Sequence, residues 1–377
     1  MICKIKDIAV IKRGSSPRPI NDYLSESGLP WLKISDFSFN DKYVYKTHEY
    51  IKERGLKQTR FVKKGTLIVT NSASPGIPVF LGIDMCLHDG FLYFEKVSDK
   101  VDLDYLYYFL INNRKHLVRL GNGSIFINLK KEILEEYEID LPDLNTQKKI
   151  SSLLSNIDEK IFTNNRIISN LLNESIALFD HECCCKKCNL TPMWRKTTLS
   201  DVTINLREKV KDEDCKVLSA INSGKLVLSE EHFTKQVFSK DISKYIKVEP
   251  NDFAYNPARI NIGSIGKNEF SFTGCVSPVY VAFRVDENYV NYFSMFIKSD
   301  YFKKQAALRS SGSVRQSLSY SDFGLIEIHY PPLENVKRFN SFYESMESYK
   351  NQLLTENENL LCLRDLLISK YYSKDAE

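Results

Sequence analysis

The sequence has no uninterrupted apolar run of the roughly 18 residues that a membrane helix needs. Its first residues, MICKIKDIAVIKRGSS, carry charges where a leader peptide would have a clean apolar core. A cytoplasmic location and no membrane contact are therefore expected. There is no G-x-x-x-x-G-K-[ST] loop to cradle phosphates, and no G-x-G-x-x-G after a strand-like run. Charge of one sign is also lacking. With 52 basic and 48 acidic residues the net charge is +4, so any nucleic-acid contact must rest on local placement. The nine cysteines form no framework: Cys3, Cys86, Cys215, Cys275 and Cys362 are scattered, whereas Cys183, Cys184, Cys185 and Cys188 crowd together. That pattern speaks against a secreted disulfide scaffold. Cys185 and Cys188, with His181 nearby, offer one chelating pair, but a structural zinc site needs a second, so no metal is expected.

What the chain does have is itself, twice. Its 377 residues, 43% apolar and 12% aromatic, suffice for two cores. GSIFINLKKEILEEYEIDLPDLNTQKKI (123–150) lines up with GSVRQSLSYSDFGLIEIHYPPLENVKRF (312–339) at a constant shift of 189 residues. The same shift then pairs Asn170-Leu171-Leu172 with Asn359-Leu360-Leu361. Upstream the likeness is looser but ordered: KIKDIAVI (4–11) with TLSDVTIN (198–205), and FVKKGTLIVTNSASPG (61–76) with IKVEPNDFAYNPARIN (246–261). The last two stretches both read as a turn followed by a buried strand.

In each copy a strand-rich segment is followed by one long helix, entered just after Pro142 or Pro331. The helices carry a seven-residue spine: Ile150, Ile157, Asn164, Leu171 and Leu178 in the first, and Phe339, Met346, Leu353, Leu360 and Leu367 in the second. Leu154, Ile161 and Ile168, and in the second copy Phe342, Tyr349 and Leu363, fill intermediate positions. This is the spacing of helices that pack along one another. The expected fold is α+β: two pseudo-repeated globular modules joined by two long helices packed as an antiparallel coiled coil. The boundaries follow as module one 1–145, first helix 146–182, linker 183–193, module two 194–334 and second helix 335–372. Antiparallel pairing would bring Asn164 near Leu353, so that Asn164→Leu should stabilise the protein or leave it unchanged.

Residues that would carry catalysis are weakly represented. NPAR (256–259) begins like an adenine-methyltransferase loop but lacks the second proline and the aromatic. Asp201 with Asp214 and Lys216 has a nuclease-like order, which arises freely in a sequence that is 27% charged. Binding leaves clearer marks. Lys57, Arg60, Lys63 and Lys64 put four cations in eight residues, and polar groups crowd near the two turns: Asn71, Ser72 and Ser74 in one copy, Asn256, Arg259, Asn261 and Ser264 in the other. Amide and guanidinium groups match base edges, and lysines neutralise phosphate. Arg315 and Gln316 follow the repeated Gly-Ser, where the first copy has Phe126 and Ile127. A repeated frame with different polar tips fits two readers of different half-sites.

LPDLNTQKKISSLLSNIDEKI (141–161), its second version YPPLENVKRFNSFYESMESYK (330–350), the Gly-Ser turns and the duplicated layout make the chain resemble the specificity subunits of type I restriction-modification systems. That resemblance spans essentially the whole length. It implies two target-recognition domains that each read one half of a split double-stranded DNA site. It also implies helices that set the spacing and carry two methyltransferase subunits, with translocase-nuclease (restriction) subunits joining the assembly. The chain itself would be non-catalytic and without a cofactor, S-adenosylmethionine, ATP and Mg belonging to the partners. The family's usual glutamine after the Pro-Leu segment is present as Gln147, but Val336 stands at the matching position of the second copy. A different reading is an adaptor whose coiled coil joins two protein- or carbohydrate-binding domains, which salt-sensitive DNA affinity would distinguish.

Overall fold

The computed structural model describes residues 1–37, 41–120, 128–183, 194–211, 214–222, 224–232, 238–239, 241–310 and 317–372. Contacts divide the chain into two compact units, Met1–Asn165 with Leu354–Glu377, and Arg166–Leu353. Each long helix, Leu144–Cys183 and Leu333–Tyr372, contributes one half to each unit.

In the first unit, Ile2–Lys4 pairs antiparallel with Glu138–Asp140, so the start of the chain is bound to the strand that precedes the first long helix. Two five-stranded sheets follow. One orders Leu24–Ser25, Glu49–Ile51, Leu29–Leu32, Met85–Leu87 and Arg60–Val62. The other orders Ala9–Arg13, Phe91–Val97, Leu67–Thr70, Pro78–Leu81 and Tyr43–Val44. Leu67-Ile68-Val69-Thr70 is buried on both faces, which is why it reads as a continuous rather than an alternating apolar run. Its preceding turn uses Gly65 at φ +81°, a conformation that favours glycine. Helix Leu103–Leu120 covers the core with Tyr105, Leu106, Tyr108 and Leu110.

The second unit repeats this plan. Arg195–Thr198 pairs with Glu327–Tyr330. One four-stranded sheet orders Leu226–Leu228, Lys216–Ala220, Gly274–Val276 and Ile246–Val248; the other orders Thr203–Leu206, Val281–Val285, Phe253–Tyr255 and Ile265–Lys267. In both units the first sheet has one parallel pair flanked by antiparallel ones, Met85–Leu87 on Leu29–Leu32 and Gly274–Val276 on Lys216–Ala220. The looser upstream likeness in sequence is therefore the same topology. Phe253-Ala254-Tyr255, the counterpart of Leu67–Thr70, is likewise buried at every position, in a core built on Phe283, Phe293 and Phe323.

The helix entries differ in chemistry. Gln147 is buried, donates from Nε2 to the carbonyls of Lys100 (3.0 Å) and Pro142 (2.9 Å), and accepts from the Asp102 N–H (2.9 Å). Asp102 in turn caps Tyr105, so one amide anchors the starts of two helices. At the matching position Val336 is fully buried and packs in the aromatic core instead.

Candidate nucleic-acid interface

The basic segment of the first module divides by role. Lys57, Arg60, Lys63 and Lys64 are all exposed. Lys63 pairs with Asp84 at 2.8 Å, and that ion pair together with the Lys64 N–H holds the Asp84 carboxyl below its ordinary range. Around Lys57 the structure gathers cations that composition did not single out. Gln58 accepts from the Arg18 N–H and donates to the Tyr23 hydroxyl, while the Arg54 guanidinium lies over the Tyr23 ring at 5.5 Å. The Gly/Ser/Pro-rich stretch GSSPRP after a strand was the available sequence signal for this loop.

Asn71, Ser72 and Ser74 follow the buried strand Leu67–Thr70. Asn71 is buried, its Nδ2 donates to the Asp89 carbonyl (3.2 Å), and its backbone carbonyl accepts from the Leu129 N–H (2.8 Å). Ser74 is exposed and Ser72 half-buried. In the second module Asn256 occupies the same place after Phe253–Tyr255, but its Oδ1 accepts from the Ala258 N–H and so caps the short helix Pro257–Ile262. Arg259 and Asn261 lie exposed on that helix. Ser264 is buried, with its hydroxyl donating to the Ala220 carbonyl, so it serves the frame rather than a surface. Arg315 and Gln316 lie outside the described residues, as do Phe126 and Ile127; Leu318, two residues past Gln316, donates its N–H to the Pro257 carbonyl. Leu129 and Leu318, the pair related by 189 residues, thus both return the chain to the turn after the buried strand.

Catalytic readings find little support. Asp201 closes a capping box, accepting from Thr197, Thr198 and the Thr198 N–H. Burial pushes the Cys86 thiol up to about 11, which leaves it protonated and inert. Among the described residues no group of three or more His, Cys, Asp or Glu could hold a metal ion, and no helix is long and apolar enough to cross a membrane. Cys184, Cys185 and Cys188 lie outside the described residues.

All ten spine positions, Ile150, Ile157, Asn164, Leu171, Leu178, Phe339, Met346, Leu353, Leu360 and Leu367, are buried or half-buried. The two helix halves in each unit run antiparallel: Asp158 meets Arg364 and Asn164 meets Asn357 in one, while Phe179 meets Phe339 in the other. Two expectations need correction. Asn164 does not face an apolar partner; its Nδ2 donates to Glu356 (2.8 Å) and Asn357 (2.9 Å), and Asn357 donates on to Asn165 (2.9 Å). Phe342, Tyr349 and Leu363 are exposed, because the second seam row lies four residues, not three, beyond the spine: Tyr343, Lys350, Asn357 and Arg364. Applied to Leu154, Ile161 and Ile168, the shift of 189 points to Tyr343, Lys350 and Asn357.

Two similar modules, each tied to antiparallel helix halves and tipped by polar turns, match known proteins on both levels. Residues 1–173 match the family described as type I restriction modification DNA specificity domain. The specificity subunit of the type I restriction enzyme MjaIX of Methanocaldococcus jannaschii is 32% identical over 182 residues, which are 46% of this chain and 41% of that protein. A second relative from the same organism, 28% identical over 149 residues, is covered to 33% of its length. The chain thus spans well under two thirds of these specificity-family relatives. In fold, the type I restriction-modification S subunit of M. genitalium matches with a TM-score of 0.61 at 16% identity, over 99% of this chain and 96% of that one. A chain from a structure addressing complex assembly and conformational transition of the type I R-M system matches with a TM-score of 0.53 at 11% identity, over 100% and 98%.

Proposed function

We propose that this chain is a non-catalytic, sequence-specific DNA reader in which each module recognises one part of a bipartite double-stranded site. The observation that carries this is one topology built twice, with chemically different groups at the same turn: a buried Asn71 in one module, a capping Asn256 with Arg259 and Asn261 exposed beside it in the other. Equivalent frames with unlike polar tips read unlike sequences. Arg315 and Gln316 remain candidates for base contact in the second module. Lys57, Arg60, Lys64 and the neighbouring Arg18 and Arg54 supply positive charge for phosphates in the first.

The long helices set the distance between half-sites and dock two methyltransferase subunits; restriction/translocase subunits complete the assembly. Exposed apolar side chains support such docking, Leu153, Phe162 and Leu366 in the first unit and Leu172, Ile176 and Phe342 in the second. S-adenosylmethionine, ATP and Mg would be bound by those partners, and the assembly would work in the cytoplasm. Methylome sequencing of cells carrying the intact system, with and without this gene, is the test: a bipartite methylated motif should vanish with the gene. Inserting one helical turn, about 5.4 Å, into the first long helix should change the gap in the motif and not its bases. A motif that persists without the gene, or an insertion that alters bases and leaves spacing untouched, refutes the proposal.

A further inference from the structure

Four lysines and two glutamates collect where the second module meets its half of the second long helix. Lys225 and Lys267 are bridge partners, held side by side because glycine at 266 lets the two backbones approach. Lys298 lays its side chain against Gly224, its Cε 3.3 Å from where a Cβ would be. Lys267 and Lys298 face the same four charges, Lys225, Glu269, Glu347 and Lys350. Both carboxylates are already taken: Glu269 pairs with Lys225 at 3.5 Å, and Glu347 pairs with Lys350 on the helix. Lys267 and Lys298 are therefore surplus. Each is half-buried and has no hydrogen-bond or ion-pair partner among the described residues, yet neither nitrogen is sealed from solvent as the orphaned oxygens of Tyr255 and Asn340 are. Burial pushes both ammonium groups below the ordinary lysine range, against the pull of Glu269 and Glu347. Two cations partly stripped of water and given no counter-ion are costly to hold, and an anion would relieve that cost.

We propose that Lys267 and Lys298 clamp a backbone phosphate of DNA beside the second half-site. The inference rests on the DNA-reading function proposed above. A phosphodiester carries one negative charge on two outer oxygens, one acceptor for each ammonium, and lysine binds it as a point charge without the planar fork of arginine. The clamp is continuous with the candidate reading turn. Gly263, which ends the short helix bearing Arg259 and Asn261, approaches the Asn222 carbonyl, and Gly224, two residues further on, lies against Lys298. A duplex read at that turn has its backbone on the same side, where phosphate contacts fix register and carry no sequence information. The first module is built otherwise. At the shift of 189 residues Asp158 stands in the place of Glu347, and there Lys42 meets Asp104 at 2.7 Å while Arg364 meets Asp158 at 3.0 Å, two cations for two carboxylates.

The test uses the full chain assembled with its methyltransferase subunits and duplexes carrying the methylated motif. One phosphate at a time, through and on both sides of the second half-site, is replaced by a neutral methylphosphonate, and affinity is read by fluorescence anisotropy. One position should lose roughly tenfold or more with the wild-type chain, the value of a hydrogen-bonded contact to a charged group. In the Lys267→Gln/Lys298→Gln variant the same replacement should cost nothing further. That variant should bind all sequences more weakly with its base preferences intact, and its slope of log affinity against log salt should be lower by about 0.9. A phosphate that stays sensitive in the variant belongs to other residues and overturns the clamp, as does a change in base preference, which marks a base contact. Weaker retention of the methyltransferase subunits by the variant, with no phosphate sensitive, marks a protein contact and also overturns it. If no phosphate beside the second half-site matters while the motif is still bound specifically, the clamp is wrong and the reading function stands. If the assembly shows no sequence-dependent affinity at all, the reading function itself fails. The scan with the wild-type chain needs no variant to fold, so an unstable double variant leaves the proposal open to refutation.

Discussion

Arg364 lies on the half of the second long helix that belongs to the first unit, with only 9% of its side chain exposed, and its Nη1 sits 3.0 Å from Oδ1 of an equally buried Asp158. The other Asp158 oxygen accepts from the Tyr108 hydroxyl at 2.5 Å. Burial and the Asp158 charge hold the Tyr108 phenol well above its ordinary pKa, so it stays a donor. Arg364→Met removes the one cation paired directly with that carboxylate among the described residues and leaves it the Tyr108 hydroxyl, with Lys42 bonded to the far side of that hydroxyl at 3.2 Å. Breaking a buried pair from one side costs about 3–5 kcal/mol, because a charge is left behind. The second partner of Arg364, Asp365, is 69% exposed and adds at most about 1 kcal/mol. Replacing both sides, Asp158→Asn with Arg364→Met, buries no charge and keeps an acceptor for Tyr108, so the double variant should return to within about 1–2 kcal/mol of the parent. Urea unfolding can read this unit alone, since the only two tryptophans fall one in each unit and Trp194→Phe leaves Trp31 as the probe. A cost below about 1 kcal/mol for Arg364→Met, the value of an exposed pair, would refute the reasoning.

Asn164→Leu should destabilise the same unit by about 1–3 kcal/mol, since the buried Asn357 loses a donor while the partly exposed Glu356 keeps Lys160; a neutral or stabilising result in the same assay would mean the asparagine network contributes nothing. His88 has its pKa lowered, chiefly by burial against the opposing pull of Asp89, so the folded state favours the neutral ring. Stability should therefore be complete above about pH 6.5, where the unfolded imidazole is also neutral, and fall as pH drops from there through the lowered folded value. His88→Gln should flatten that part of the pH–stability curve, and an unchanged curve would rule out His88 as its source.

The architecture was legible because it is written twice and because its core strands are short and uniformly apolar. Leu67–Thr70 and Phe253–Tyr255 each follow a turn and are buried, as the turn chemistry and composition required. The strand partners were not legible. Nothing in a period of two tells that Met85–Leu87 lies parallel to Leu29–Leu32, a pairing fixed only by the closed core. The candidate site was legible by residue type and not by role. Asn256 and Asn71 look alike in sequence, yet one amide oxygen caps a helix and the other is orphaned, a difference decided by which backbone groups come near after folding. Ser264 was drawn in by its polarity, but its hydroxyl is spent on Ala220.

The error at the helix seam has one cause, and it bears on how the helices specify their pairing. Hydrophobic periodicity selects apolar residues, so along the second helix it chose Phe342, Tyr349 and Leu363 and passed over Lys350, Asn357 and Arg364, which are the ones turned inward. These polar residues are matched only locally. In the first unit Arg364 and Asn357 find Asp158 and Asn164, whereas in the second unit the seam is Phe179 on Phe339 and Ser175 on Met346. A slip of one heptad would set Arg364 opposite Ser151 or Asn165, and Asp158 opposite Asn357 or Tyr371, leaving both charges without their partner. Each such mismatch carries the cost of an uncompensated buried charge, so the seam admits one orientation and one register where a purely apolar spine of the same spacing would admit several.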